Sequence, residues 1–226
     1  MRSLNSITFD LSGFALQGDR EGVRVWHAPT GDGVGLYYFP IPPDIEADLQ
    51  SVTAVRAFYR TLVMRSGAAI IEVDTPEVDG FLAVRQIIKV PQQPHGMTYL
   101  GSITLPFRDF SYVIKIQCEE HGMTGVRDTV ILDKKMATGE VTLDFEKDAV
   151  RGWMRDPYDP SIVDVFARNL SEAEEYDELF PDHPLSRLRP VLKHVQTTLR
   201  IEDEVKREPR FELALQKATK PWWKVW

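Results

Sequence analysis

The feature that most constrains this fold is a succession of four strand-like segments, at residues 69–74, 81–90, 98–105 and 110–119, with only short loops between them. Pro76, Gly80, Pro91, Pro94, Gly96 and Pro106 punctuate those loops. A parallel connection needs a crossover of about a dozen residues or more. Loops this short therefore predict an antiparallel meander. In the last segment Tyr112, Ile114, Ile116 and Cys118 alternate onto one face, while Ser111, Val113, Lys115 and Gln117 share the other. One face should pack on a core and the other should stay partly polar.

The flanking elements follow from local chemistry. Residues 23–28 and 34–39 are β-prone runs separated by the turn cluster Pro29-Thr30-Gly31-Asp32-Gly33, which reads as a hairpin. Pro40, Pro42 and Pro43 end the second strand because proline cannot donate to a ladder. Residues 51–65 switch to helical period, with Ala54, Phe58 and Leu62 in one row, Val55, Tyr59 and Val63 in the next, and Gly67 as the stop. A second helix is expected over residues 125–136, ending before Gly139, then a short strand within 139–145 and an irregular stretch at 153–160. Ser171 and Glu174 have capping-box spacing, which predicts a short acidic helix to about Leu179. His183-Pro184 should open the last helix, on which Leu185, Leu188, Leu192, Val195 and Leu199 are at helical spacing. Pro190 either kinks that helix or delays its start. The order implies an α+β fold, an antiparallel β-sheet packed by helices, with a C-terminal helical extension. We divide it into a sheet domain at 1–148 and an acidic connector with helical extension at 149–226.

Charge sharpens that division. Residues 140–182 carry thirteen acids against four bases, and residues 187–226 carry ten bases against five acids. The whole chain has a net charge of −7, which counts against non-specific nucleic-acid binding. The bland reading of the two charged stretches is a pair of solvated faces that attract weakly. No apolar run approaches the roughly 18 residues of a membrane span. Absence of a signal-like apolar core after Arg2, together with a single cysteine, points to the cytoplasm.

Several strings invite a chemical reading. Thr30-Gly31-Asp32-Gly33-Val34-Gly35 lacks both the dinucleotide and the P-loop spacing and leads into a strand, so it reads as a turn. Cys118 falls on the apolar face of its strand, as a buried thiol would. His-Gly-Met-Thr occurs at 95–98 and again at 121–124; the copies are either two chance turns or histidines brought together by neighbouring strands. Asp156, Asp159 and Asp164 fit no calcium loop and read as a turn series. Glu72, Asp74, Arg85, Lys89, Lys115 and Gln117 lie in neighbouring strands and, on a common face, would form ion pairs or a polar binding surface. His183 and Arg187 flank a helix start and could take an anionic group, or simply cap the helix. Trp222, Trp223 and Trp226 in the final stretch either dock on the parent domain or anchor a partner. No motif calls for a metal, a cofactor or a named catalytic residue.

The hairpin ending in Leu36-Tyr37-Tyr38-Phe39-Pro40, the helix over 54–65, the long strands at 81–90 and 110–118 and the helix near 125–136 together resemble the PsbP/DcrB-like fold. That group includes the photosystem PsbP protein, the DcrB lipoproteins and the Eag adaptors of type VI secretion. The resemblance covers residues 1–145 only and is an order of elements. It implies a non-enzymatic accessory or adaptor protein, secretion- or immunity-associated, that binds a protein, a peptide or a second copy of itself. The contact residues expected on that reading are Arg85, Lys115, Gln117, His183, Arg187, Trp222, Trp223 and Trp226. The competing expectation is a small-ligand binder or hydrolase-like enzyme centred on His95, His121 and His183.

Overall fold

A computed structural model describes residues 2–146, 149–162 and 166–213. Seven strands form the main sheet: β1 (Ala15–Arg20), β2 (Val23–His27), β3 (Gly33–Phe39), β4 (Ala69–Asp74), β5 (Val84–Pro91), β6 (Met97–Pro106) and β7 (Ser111–Glu119). Their order is β1-β2-β3-β7-β6-β5-β4, antiparallel throughout. The meander over 69–119 and the hairpin β2–β3 are thus both present, and β7 joins them by pairing Ile114 with Leu36 and Ile103. β1 is an addition that the sequence did not announce, since Ala15-Leu16-Gln17-Gly18-Asp19-Arg20 is poor in β-branched and aromatic residues. It is a largely exposed edge strand with a bulge between Leu16 and Gly18.

Three helices of length pack on this sheet or beside it: α1 (Val52–Arg65), α2 (Val126–Ala137) and α3 (Pro184–Thr198). The Ser51 hydroxyl accepts the Ala54 N–H to start α1, and Gly67, with φ +72°, follows its end. Val55 and Val63 bury against Ile70, Val73 and Val84. Leu62, expected on the same stripe, is instead about half exposed at 49%. His183 caps α3, its Nδ1 accepting the Leu185 N–H, with Pro184 at the first helical position. α3 runs unbroken through Pro190, so the delayed start does not occur. Leu185, Leu188, Leu192, Val195 and Leu199 are all fully buried against the Tyr99, Ile103, Leu105, Ile114 and Ile116 face of the sheet. The main core therefore draws on residues from both sides of position 148. Ile7 also pairs with Ile201, tying the start of the chain to the segment after α3.

The segment between α2 and α3 differs most from expectation. The capping box lies two residues earlier than the spacing suggested, at Asn169 and Glu172, and the predicted acidic helix is replaced by two single 3-10 turns, Leu170–Glu172 and Glu174–Tyr176. The reason is that Glu172 is not a surface acid. Its carboxylate accepts from Lys89 Nζ at 2.9 Å, Tyr99 Oη at 2.8 Å and Asn169 N at 2.7 Å, with lysine and glutamate essentially fully buried. Arg189 of α3 donates to the Glu172 carbonyl, to Glu72 and to Asp177. Arg127 of α2, fully buried, donates to Ser171 O, Ala173 O, Asp177 Oδ1 and Ser186 Oγ. A connector read as solvated charge is thus fastened to the sheet and two helices by buried ion pairs, each charge satisfied by several partners as burial requires. Among the described residues no helix is long and apolar enough to cross a membrane.

Candidate functional site

The faces of the sheet are unequal. α3 covers one face across β6 and β7, and α1 covers the other face at its β4–β5 end. On that second face, none of the three helices packs extensively on β1, β2 or β3 among the described residues. The register places Val113 opposite Tyr37 and Thr104, Lys115 opposite Gly35 and Ser102, and Tyr37 opposite Val23. Tyr37 stacks on Phe39 with centroids 6.2 Å apart, and Lys115 Nζ lies 5.4 Å over the Tyr37 ring. Gly35 allows this arrangement, because a Cβ there would fall 2.7 Å from the Tyr37 ring. Val23, Val25, Tyr37 and Val113 are half-buried, whereas Lys115 and Gln117 are exposed. Towards α1, cross-strand neighbours Gln86 and Ser102 bury side-chain oxygens that find no hydrogen-bond partner among the described residues.

The polar strand residues do not share this face. Arg85 lies opposite Ile103 on the α3 side, where it pairs with Glu72, and Lys89 lies opposite Tyr99 on that same side. Lys115 and Gln117 alternate to the other side with Ser102 and Leu100. Asp74 is within 3.9 Å of Arg56 of α1, and Gln117 donates to Glu119. The six residues grouped by proximity in sequence therefore serve two surfaces, because strand parity separates them.

A second site is a cleft of about 280 Å³ between the start of α2 and the start of α3. Glu120, His121, Met123, Val126, Phe180 and His183 line it. His183 accepts at Nδ1, so its ring proton sits on Nε2, which lies 3.8 Å from Glu120 Oε1. Burial, reinforced by the positive charges of Arg127, Arg187 and Arg189, pushes protonation of His183 down to about 3. Glu120 in turn accepts the Met97 and Gly125 N–H groups, which brings the two His-Gly-Met-Thr copies side by side. A Cβ at Gly96 would stand 3.0 Å from Thr124 of the second copy. His121 and His183 share the cleft, whereas His95 is exposed in the β5–β6 turn and does not line it. Among the described residues no group of three or more His, Cys, Asp or Glu is placed to hold a metal.

The remaining named residues are engaged within the chain. Arg187 forms a two-pronged pair with Asp32 at 2.9 Å and also donates to the Glu119 and Asp182 carbonyls. Although burial raises Asp32, Arg187 and Thr30 outweigh it and hold the carboxyl below its usual range. Burial and the neighbouring Asp32 push the Cys118 thiol well up, consistent with an inert core cysteine. Asp156 accepts the Tyr158 and Asp159 N–H groups and pairs with Arg60, as a turn series does; Asp164 lies outside the described residues. Trp222, Trp223 and Trp226 also lie outside the described residues. The Lys89–Glu172–Arg127–Arg189 cluster was missed. Its one sequence signal was Lys89, a charge in phase with Ile87 on the core-facing side of a strand.

The lowered protonation of His183 couples folding to pH. The unfolded chain binds a proton near pH 6.5 that the folded chain refuses until about 3, so stability present above 6.5 is lost as pH falls between those values. Relative to wild type, His183→Asn, which keeps a capping acceptor, should flatten the dependence by up to about 1.4 kcal/mol per pH unit. Urea unfolding at pH 7 and pH 5 measures it; parallel losses in the two proteins would mean that water reaches the imidazole.

No protein-family model and no curated protein matches the chain. Among solved structures, cyanobacterial PsbP (CyanoP) from Synechocystis sp. PCC 6803 is 16% identical, with 61% of this chain and 86% of that one covered at a TM-score of 0.36. A crystal structure from Bacteroides thetaiotaomicron VPI-5482 is 8% identical, with 54% of this chain covered and a TM-score of 0.32. The match spans 41% of the length of that Bacteroides protein. The likeness to PsbP is weak and concerns the fold alone.

Proposed function

We propose that this chain is a non-enzymatic accessory protein that binds another protein or a peptide through the face of its sheet around Tyr37. The observation that carries the reading is the face around Tyr37. Half-buried Val23, Val25, Tyr37 and Val113 lie beside exposed Lys115 and Gln117, with no helix packed extensively on β1–β3 among the described residues. Apolar and aromatic centres with polar rims are the usual anatomy of a protein contact. In its finer form the proposal is a cytoplasmic adaptor of the DcrB or Eag kind, associated with secretion or immunity. Arg85 and Arg187 hold the fold together on this reading, and Lys115 and Gln117 meet the partner.

The test compares wild type with Tyr37→Ser, Lys115→Glu and Gln117→Glu combined. Loss of the Tyr37 ring, which is half-buried on Phe39, should lower the unfolding midpoint modestly, so binding is compared well below both midpoints, where each protein is folded. A partner retained by wild type and cross-linked at this face should be lost from the variant by about tenfold or more, the scale of a contact residue worth about 1–2 kcal/mol. Equal retention by both proteins, or cross-links confined to other surfaces, would rule this face out. A doubled mass in light scattering that the variant abolishes would identify the partner as a second copy.

A second reading rests on His121 and His183 sharing one cleft. His183 stays neutral near pH 7, so there it is a hydrogen-bond donor to a bound carbonyl or carboxylate and not a proton carrier. Binding abolished by His183→Phe but untouched by the sheet-face variant would favour this cleft.

A further inference from the structure

A groove of about 730 Å³, lined by residues of neither site, is built from Leu49, Phe81, Leu82, Pro106 and Phe211, with Leu213 at its margin. Leu49, Phe81 and Pro106 are buried and give it a fixed apolar floor, and Leu82 and Phe211 are half-buried walls. Arg210 helps to shape it, its guanidinium 4.3 Å over the Phe81 ring while donating to the Gly80 carbonyl. Three acids, Asp48, Glu77 and Glu212, also line it, against this one arginine. We infer that the occupant of this groove is the segment 214–226 of the same chain, with Trp222, Trp223 or Trp226 seated on its apolar floor.

Three observations select that occupant. The described chain reaches Leu213 on the margin of the groove itself, so the thirteen residues that follow start beside it. Eight residues separate Leu213 from Trp222, a reach of up to roughly 30 Å when extended. Charge is complementary, since the segment carries Lys217, Lys220 and Lys224 and no acid, opposite a lining with excess acid. Finally, three tryptophans have large apolar surfaces to bury, each about 150–250 Å². A short tether supplies a millimolar effective concentration, so even weak contact suffices to keep the groove filled.

Disulfide trapping in the full chain tests this. Gln50 and Glu77 are exposed on the groove, and Arg20 is exposed on the far edge strand, while native Cys118 is buried. Gln50→Cys/Val225→Cys and Glu77→Cys/Val225→Cys should close an intramolecular disulfide at least about tenfold faster than Arg20→Cys/Val225→Cys in the same redox buffer. Changing Lys217, Lys220 and Lys224 to Glu should slow both groove pairs several-fold. Equal rates for all three pairs overturn the inference, because the segment then samples surfaces without preference. Disulfide-linked dimers at micromolar protein also overturn it, since they assign the groove to the segment of a second copy. Because the pairs involve no residue of the sheet face, their outcome is independent of the proposed partner surface.

Discussion

Glu172→Ala is expected to lower the unfolding free energy by about 3–5 kcal/mol, the cost of leaving one member of a buried ion pair without the other. The expectation rests on where the charge sits. Lys89 and Glu172 are 1% and 0% exposed, and removal of the carboxylate strands the Lys89 ammonium, the Tyr99 hydroxyl and the Asn169 N–H together. Tyr99 already has its ionisation raised well above normal by burial, with Glu172 adding to it, so its hydroxyl stays a donor in need of an acceptor. Glu172→Gln restores acceptors for Tyr99 but not the charge for Lys89, and should recover only part of the loss. Lys89→Met with Glu172→Leu removes both charges and should cost less than Glu172→Ala alone, since apolar replacement of a whole buried pair is often close to neutral. Urea unfolding with unchanged slope measures all three. A loss under about 1 kcal/mol for Glu172→Ala would mean that the 169–177 segment opens readily and lets water reach Lys89.

The same cluster explains how much of the molecule could be read in advance. The meander, the hairpin and the three helices were legible because each depends on period and punctuation: alternation in β7, the Leu185–Leu199 spacing in α3, Ser51 and Gly67 around α1. The 3-10 turns at 170–176 were not, because Glu172 is held by Lys89 and Tyr99, more than seventy residues away. Local acidity predicts a solvated helix there, and tertiary pairing overrides it. The open face was half legible. Alternation correctly set Lys115 and Gln117 opposite Ile114 and Ile116, but the separation of Arg85 from them needed the β5–β6 register. The pairing of His121 with His183 in one cleft depends on the approach of α2 to α3, which no spacing encodes.

Gly101 had no reading at all in the sequence, yet it sets the distance between α3 and the sheet. A Cβ at this position would stand 2.9 Å from Leu188 Cδ2 and 3.2 Å from Leu192 Cδ2, closer than packed carbon atoms approach. Leu188 and Leu192 are fully buried, and a close-packed interior resists their withdrawal. Gly101→Ala should therefore destabilise by about 1–3 kcal/mol through overpacking, despite the better strand propensity of alanine. Leu188→Ala should cost about 2–5 kcal/mol through the cavity it opens. The double variant Gly101→Ala/Leu188→Ala places the new methyl against the vacated space, so its cost should fall short of the sum by at least about 0.5–1 kcal/mol. A strictly additive double variant, measured by urea unfolding of all four proteins, would mean that α3 shifts bodily off the sheet when either residue changes. The two faces of β6 then differ in kind. The Gly101 face is a closed contact that yields to an added methyl only at a cost, while on the opposite face Leu100 is half-buried and carries no helix contact of this closeness among the described residues.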